Sequence, residues 1–249
     1  MRIAIISDIH EDLYHLQQAI RKIKRLKCDK IVCLGDISGF SVPHYTYLHT
    51  RNASECLKLV KESCDIIVIG NHDLYAAKMI PHNSHYFSYP DNWYNLDYRQ
   101  KLMASKGKVW LYMKDELDPC YTYDDIAFIR SLPLKASLKI DEHTLFFSHY
   151  IFPNISGDAA VFLDQQEKGL AMHLSYMQEN EYQIAFSGHT HFPGLYIVMK
   201  ERIIQKSFKM EMIKKNPSLV FVPAIARGRN RSGFIIFDTE TMKIQAKPI

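Results

Sequence analysis

Residues 2–36 read "RIAIISDIHEDLYHLQQAIRKIKRLKCDKIVCLGD", and this stretch decides the fold class. Its two ends are short, continuous apolar runs, which are typical of strands buried on both faces. The segment between them follows Asp12, a suitable helix N-cap, and gathers basic residues near its end. Its apolar positions at helical spacing are Leu13, Leu16, Ile20, Ile23 and Leu26. Strand, helix and strand in this order predict a parallel crossover unit of an α/β protein.

Five apolar runs along the chain share one pattern, because each ends in Asp, Asn or His. They are RIAIISDIH (2–10), KIVCLGDISGF (30–40), DIIVIGNHD (65–73), TLFFSHY (144–150) and QIAFSGHTH (183–191). In open α/β sheets, ligands bind beyond the carboxyl ends of the strands, where the loops converge. We therefore expect the following polar residues to meet in space: Asp8, His10, Asp36, Asn71, His72, His149, His189 and His191.

Composition excludes several classes of protein. The 249 residues fit one domain spanning 1–249, and the formal net charge of +4 falls short of the dense basic stripe of a dedicated nucleic-acid binder. Five cysteines without a CxxC spacing indicate reduced thiols rather than disulfides or a thiolate zinc site. No apolar stretch approaches the ~20 residues that span a bilayer, and no signal peptide is apparent. We expect a cytoplasmic protein that does not bind membranes.

The polar residues after the five runs have the chemistry of a metal site. Nitrogen and oxygen ligands without thiolate suit borderline divalent metals such as Mn, Fe, Zn, Ni or Co. Seven candidates, without His72, exceed what one tetrahedral ion requires. One carboxylate can bridge two ions about 3.5–4 Å apart, and Asp36 is the candidate for that bridge.

The motifs DIH, GD, GNHD, a single His149 and GHTH occur in an order that resembles the calcineurin-like metallophosphoesterase superfamily. Within it, the chain is most similar to the small bacterial and archaeal phosphodiesterases. The resemblance implies an α/β fold, a four-layer α/β/β/α sandwich of two mixed β-sheets flanked by helices. Alternating apolar residues after His191 predict antiparallel strands in the last part of the chain, and "TYDDIAFIRSLPL" (122–134) predicts a helix closed by Pro133.

The resemblance also implies roles for the candidate residues. One divalent ion would be held by Asp8, His10 and His191, the other by Asn71, His149 and His189, and Asp36 would be shared. A hydroxide bridging the ions would attack phosphorus in line. His72 would protonate or stabilise the leaving oxygen, and Asp73 would hold the His72 imidazole. Among the candidate metals, we expect Mn to support activity in vitro.

Two features depart from the family pattern or stay open. Glu11 stands where the phosphodiesterase group often has glycine, and its negative charge near the metals would disfavour highly charged monoesters. Three arginines in "ARGRNRSG" (226–233) would either clamp a phosphate or form a solvated basic turn; they are Arg227, Arg229 and Arg231. The segments GDISGF and VIGNHD lack the arginines of protein serine/threonine phosphatases, which disfavours that activity.

These patterns favour a dinuclear phosphodiesterase acting on a small or nucleotide-like phosphate ester. The alternatives are a phosphomonoesterase or nucleotide phosphatase using the same site, and a non-catalytic interaction module on the same fold. A homo-oligomer is compatible with the sequence. The loop 81–99 either lines a substrate mouth or packs on itself. We expect surface or structural roles for the remaining histidines, which are His15, His44, His49, His82, His85, His143 and His173.

Overall fold

A computed structural model describes residues 1–81, 85–200, 202–213 and 217–249, so His82 lies outside the described residues. The strands within these ranges are β1 (Arg2–Ile6), β2 (Lys30–Cys33), β3 (Ile66–Ile67), β4 (Lys135–Ile140), β5 (His143–Ser148), β6 (Ile184–Ser187), β7 (Leu195–Met199), β8 (Arg202–Lys206), β9 (Met210–Met212), β10 (Ser218–Phe221), β11 (Gly233–Asp238) and β12 (Lys243–Pro248). The α-helices are α1 (Leu13–Arg25), α2 (Ala53–Ser63), α3 (Asn71–Ala76), α4 (Tyr98–Ser105), α5 (Tyr123–Ser131) and α6 (Glu167–Glu179).

The strands form two mixed sheets, as predicted, and each sheet contains six of the described strands. The first has the order β3-β2-β1-β11-β12-β9, and the second has the order β4-β5-β6-β10-β7-β8. Strands β1, β2 and β3 are parallel, and β1, α1 and β2 form the crossover unit predicted from residues 2–36. Strands β5, β6 and β10 are parallel in the second sheet. All five apolar runs of the sequence therefore provide strands that lead toward the site.

Strand β1 explains why these runs are continuously apolar. Ile3 and Ile5 pack into the core between the two sheets, while Ala4 and Ile6 pack against α1 and α2 on the outer face. All four side chains are fully buried because successive residues of a strand point to opposite faces. The second sheet carries α6 on its own outer face. The layers are thus helix, sheet, sheet and helix.

The helices begin and end close to the predicted signals. The Asp12 side chain accepts a hydrogen bond from the His15 N–H at 3.0 Å and caps α1. Asn52 caps α2 in the same way, because its side chain accepts a hydrogen bond from the N–H of Glu55 at 3.0 Å. Helix α5 starts after Thr122 and ends before Pro133, as predicted.

The last third of the chain contains the predicted antiparallel strands, and they are divided between the two sheets. Strands β7, β8 and β10 join the second sheet, whereas β9, β11 and β12 join the first. Strand β10 pairs parallel with β6 and antiparallel with β7. All four residues of β10 are buried, so its sequence SLVF has the continuous apolar pattern of a central strand. Within the described ranges, no helix is long and apolar enough to cross a membrane.

Candidate metal centre and active-site cavity

The candidate residues extend from both sheets and converge at one edge. Asp8, Asp36 and Asn71 follow β1, β2 and β3 of the first sheet. His149 follows β5, and His189 with His191 follows β6, in the second sheet. Backbone hydrogen bonds hold these loops together, including Asp8 N–H to Gly35 at 3.1 Å and Gly188 N–H to the carbonyl of His149 at 2.8 Å. The candidate residues therefore lie at the edge where the parallel strands end, which is the position expected from the sequence.

The first group of candidate ligands consists of Asp8, His10 and His191. Each offers one ligand atom, and these atoms lie within 4.8 Å of one another. His191 Nε2 is 3.2 Å from Asp8 Oδ1 and 3.2 Å from His10 Nε2. Two imidazole nitrogens and a carboxylate oxygen converge on one point, which is the arrangement that a divalent cation requires.

The second group consists of Asn71, His149 and His189. His189 Nδ1 lies 3.0 Å from Asn71 Oδ1 and 3.3 Å from His149 Nε2. The amide nitrogen of Asn71 donates to the Tyr112 hydroxyl at 2.7 Å, so its amide oxygen faces the group. Sequence reasoning missed Tyr112, which lies in a segment without a recognisable motif.

Asp36 lies between the two groups. Its Oδ2 is 3.1 Å from His149 Nε2 and 3.9 Å from His10 Nε2. Its Oδ1 accepts a hydrogen bond from the backbone N–H of His72 at 2.9 Å, which fixes the orientation of the carboxylate. One carboxylate oxygen is thus directed toward both groups.

Backbone carbonyls set the tautomers of two histidines. His10 Nδ1 donates to Gly39 O at 3.0 Å, and His149 Nδ1 donates to Leu34 O at 2.8 Å. Since a carbonyl only accepts, Nδ1 carries the hydrogen in both rings and Nε2 faces the cluster. Such outer contacts orient metal-binding histidines.

The pKa values in the cluster follow from burial and close neighbours. Burial, together with His72, lowers the pKa of His10 to about 3, and burial, together with His149, lowers the pKa of His189 to about 3. Both rings are therefore neutral at neutral pH, with lone pairs free for a cation. Burial alone would lower the pKa of His149, but the Asp36 carboxylate raises it to about 9. Metal binding at His149 would then release a proton.

The backbone of the cluster adopts an uncommon conformation. Asp8, His10, Asp36, His189 and His191 all have φ between 46° and 65°, in the left-handed region. This region is unfavourable for residues with a Cβ, and such strain concentrates where a site must hold side chains in place. Five of the seven predicted ligands share it, which supports a functional cluster rather than ordinary loops.

Glu116, not Asp73, contacts the His72 imidazole. The Glu116 carboxylate lies 2.5 Å from His72 Nδ1, and its side chain is 5% exposed. Asp73 instead accepts hydrogen bonds from the N–H groups of Ile37, Ser38 and Gly70 and from the Ser38 hydroxyl, so the predicted role of Asp73 as the partner of His72 is wrong. Burial alone would lower the pKa of His72, but the carboxylates of Glu116 and Asp36 raise it to about 10.

Glu11 is neutralised rather than directed at the cluster. Its carboxylate pairs with Arg51 at 2.8 Å and accepts N–H bonds from Gly39 and Phe40 at 3.3 and 3.2 Å. The Arg51 guanidinium therefore offsets the negative charge that Glu11 was expected to add near the metals. The φ of Glu11 is 66°, a value that glycine would adopt without strain, and the ion pair with Arg51 fixes the side chain there.

Gly157 is a further residue that sequence reasoning missed. Its φ is 80°, and a Cβ there would lie 2.7 Å from His189 Nδ1 and 2.9 Å from Asn71 Oδ1. Any side chain larger than the hydrogen of glycine would overlap with His189 and Asn71 of the second group. The loop that carries Gly157 contains no recognisable motif, so no signal in the sequence pointed to it.

A cavity of about 650 Å³ opens over the cluster. This volume is in the usual range for ligand sites, about 300–1,000 Å³. Its lining includes His72 and Glu116 near the cluster, Trp110 and Phe162 as an aromatic pair with ring centroids 5.7 Å apart, and Arg229 and Arg231. Thus two of the three arginines of 226–233 line the cavity.

The remaining histidines of the described ranges mostly lie away from the cluster. His44 is the exception, because it lines the cavity. His173 is fully buried, and its Nδ1 accepts a hydrogen bond from the Phe152 N–H at 2.9 Å. In the described part of the loop 81–99, Phe87, Tyr89 and Trp93 pack on one another.

The sequence matches the model of the calcineurin-like phosphoesterase family over residues 1–193. The chain belongs to this family. Its histidine and aspartate clusters suit a divalent metal centre, and family membership supports a metal-dependent hydrolase of phosphoric esters with a phosphate-ester substrate. The calcineurin-like phosphoesterase assignment confirms the resemblance inferred from the five motifs.

Individual relatives agree with this assignment. An uncharacterized protein of Methanocaldococcus jannaschii is 27% identical over 261 positions, covering 98% of this chain and 85% of the relative. The crystal structure of a metallophosphoesterase from Sphaerobacter thermophilus has a TM-score of 0.63 at 19% identity, covering 100% of this chain and 88% of that one. A hypothetical protein from Pyrococcus horikoshii has a TM-score of 0.60 at 18% identity, covering 100% and 87%. The two structures show that the fold is shared.

Proposed function

We propose that this calcineurin-like phosphoesterase is a dinuclear metal-dependent phosphodiesterase. One observation carries the proposal: Asp36 Oδ2 lies 3.1 Å from His149 Nε2 in one group and 3.9 Å from His10 Nε2 in the other. A shared carboxylate oxygen between two convergent ligand groups is what a pair of ions about 3.5–4 Å apart requires.

The donor atoms fit two borderline divalent ions. Asp8, His10 and His191 would hold one ion, Asn71, His149 and His189 would hold the other, and Asp36 would be shared. The ligand set contains imidazoles, carboxylates and one amide oxygen, which suits Mn, Fe, Zn, Ni or Co, and we expect Mn to support activity in vitro. When bound, the ions would supply positive charge beside the scissile phosphate and a nucleophilic water near neutral pH.

His72 is the proposed proton donor to the leaving oxygen. Its Nδ1 faces Glu116, and its Nε2 lies 3.8 Å from Asp36 Oδ2 at the floor of the cavity. The imidazole is 19% exposed, so a substrate in the cavity can reach it. Glu116 and the backbone bond to Asp36 hold the ring in place, and His72 Nε2 would pass its proton to the departing ester oxygen.

The cavity supports a diester in preference to a monoester. A diester has two substituents on phosphorus, and the cavity extends beyond the cluster toward Trp110 and Phe162 as well as toward Arg229 and Arg231. A non-catalytic module would not need His72, Asp36 and both histidines of the GHTH motif together. We also propose that residues 1–249 act as one domain, since both sheets contribute to the cluster. The cytoplasmic location stays a prediction.

Reconstitution with single metals tests the function. The purified protein is stripped with a chelator, reloaded separately with Mn, Fe, Zn, Ni, Co or Mg, and assayed on bis(p-nitrophenyl) phosphate and p-nitrophenyl phosphate. We expect activity with a borderline metal and a higher kcat/KM on the diester. Hydrolysis of the monoester alone would favour the phosphomonoesterase alternative, and no hydrolysis with any metal would favour the non-catalytic one.

A further inference from the structure

The turn that carries the three arginines is fixed over the candidate centre. The backbone N–H of Arg227 donates to Asp12 Oδ2 at 2.9 Å, and the Asn230 side chain donates to the carbonyl of His191 at 2.8 Å. His191 is itself a candidate ligand, so the turn is attached directly to the centre. The Arg231 guanidinium lies 5.3 Å from the centroid of the Phe208 ring. These contacts use the backbone of Arg227, the side chain of Asn230 and, for Arg231, one aromatic ring.

The three arginines differ in whether they line the cavity. Arg229 and Arg231 line the cavity, whereas Arg227, in the same turn and equally exposed, does not. Among the described residues, none of the three has a carboxylate within ion-pair distance. A basic turn that only serves solubility has no reason to place two of its arginines along the cavity of the candidate centre.

Acidic residues in the same cavity belong to a different segment. Asp115 and Glu116 lie beside residues 41–42, since Ser41 pairs with Glu116 and the Val42 N–H donates to Asp115 O at 2.8 Å. Glu116 is occupied by His72. The arginine turn is instead attached to Asp12 and His191. Apart from the candidate metal centre and His72, the cavity therefore offers an anion a basic region formed by Arg229 and Arg231.

We propose that Arg229, supported by Arg231, forms a subsite for a second phosphate group on the substrate. The substrate class is then a phosphodiester that carries another phosphate on one of its two arms. The assignment of this diester as the reacting group rests on the proposed function, but the binding of a second phosphate does not. A guanidinium binds phosphate through two parallel N–H bonds, and it keeps its charge at any pH the protein tolerates.

A binding experiment tests the subsite without requiring turnover. Titration calorimetry in the presence of Mn²⁺ compares thymidine 3′,5′-bisphosphate with thymidine 5′-monophosphate. One charge-assisted contact corresponds to about a tenfold lower Kd for the bisphosphate, and high salt should reduce this preference. In Arg229→Ala, the Kd values for the two ligands should differ by no more than about twofold. Arg229→Lys should give an intermediate ratio, because lysine keeps the positive charge but cannot donate two parallel N–H bonds to the phosphate.

Arg227→Ala is the matched control, since it removes the same charge from the same turn outside the cavity. We expect it to keep the wild-type ratio. An equal affinity of the wild type for the two ligands, or an unchanged ratio in Arg229→Ala, overturns the subsite. An equal loss in Arg227→Ala and Arg229→Ala also overturns it, because it would show a general effect of charge.

A kinetic comparison separates the subsite from the proposed reaction. The p-nitrophenyl diester of thymidine 5′-phosphate is compared with the same diester bearing a 3′-phosphate, so that the leaving group is identical. The subsite predicts a kcat/KM about tenfold higher for the second compound, mainly through KM. Hydrolysis of both at equal rates refutes the subsite while the phosphodiesterase proposal stands. Failure to hydrolyse either, together with a retained binding preference, refutes the phosphodiesterase and leaves the subsite intact.

Discussion

The Glu116 carboxylate lies 2.5 Å from Nδ1 of His72, although the two residues are far apart in the sequence. Glu116 comes from a segment that joins no strand or helix, and its isolated bridge to Ser41 holds it beside the GD motif loop. The contact orients the imidazole so that Nε2 faces the cavity. Glu116 is therefore a positioning residue for the proposed proton donor.

Glu116→Gln should lower kcat on a diester by about one to two orders of magnitude, because proton transfer needs the imidazole held in one orientation. KM should change much less. Steady-state kinetics with the Mn-loaded protein measures both constants. Asp115→Asn, which changes a neighbouring exposed carboxylate of the same cavity, serves as the control and should leave kcat within about threefold. Equal losses in the two variants would argue for a general electrostatic effect instead.

Asp36→Asn should lower the number of metal ions bound per chain, because an amide provides one neutral oxygen in place of a shared carboxylate. Elemental analysis after dialysis gives the metal content, and circular dichroism checks that the fold is retained. Asp91→Asn, an exposed aspartate outside the cluster, is the control. A full complement of two ions in Asp36→Asn would rule out its role as the bridge.

Asp73→Asn should act on stability rather than on proton transfer. The carboxylate accepts four hydrogen bonds from Ile37, Ser38 and Gly70, and an amide can accept only part of them. The free energy of unfolding should fall by about 2–3 kcal/mol, measured by urea denaturation of the chelated protein. A variant as stable as the wild type, but with a changed pH profile of kcat, would restore the role predicted from the sequence.

Gly157→Ala should weaken metal binding at the second group. Its φ of 80° costs any residue with a Cβ about 1 kcal/mol, and the added carbon would also meet His189 and Asn71. Gly107→Ala isolates the first effect, because Gly107 has φ of 75° and nothing lies within 4 Å of its Cβ position. We expect calorimetry to show weaker metal binding only in Gly157→Ala. Similar metal affinities in the two variants would contradict the proposed close packing.

His173 should make the protein sensitive to acid. Burial lowers the pKa of His173 to about 3, so the unfolded chain binds the proton first as the pH falls below the ordinary value of about 6.5. Stability is then full above about pH 6.5 and decreases toward lower pH, by about 2 kcal/mol at about pH 5. Urea denaturation of the chelated protein across this range measures the change, and His173→Gln should make the dependence less steep by the contribution of one histidine, since His10 and His189 also have lowered pKa values. An equally steep dependence in the variant would assign the effect to other groups.

Sequence patterns predicted the parts of this molecule that depend on local rules. Continuous apolar runs predicted β1, β2, β3, β5 and β6, because parallel strands are buried on both faces. The polar residues after these runs predicted the edge where the candidate residues meet, because ligands bind beyond the carboxyl ends of such strands. Strand β4 and helix α6 were not predicted. The residues of β4 alternate between exposed and half-buried, and the buried face of α6 contains a histidine as well as apolar residues. Neither element therefore has the continuous apolar run on which the strand predictions relied.

The unpredicted parts of the site depend on contacts between distant segments. Glu116, Tyr112 and Gly157 belong to irregular loops, where neither periodicity nor a motif marks a residue for a role. Glu11 illustrates the same limit, since its charge appeared free until the fold brought Arg51 against it. Motifs indicate which residues face the reacting atoms, whereas the residues that support them are found only by tertiary packing.

Each proposed metal position draws on both sheets: Asp8 and His10 of the first with His191 of the second, and Asn71 of the first with His149 and His189 of the second. An ion bound at either position would act as a cross-link between the two halves of the sandwich. Metal binding would thus stabilise the packing of the two sheets against each other, in addition to supplying the ions for the reaction. Catalytic competence and mechanical integrity would then be lost together when the metals leave.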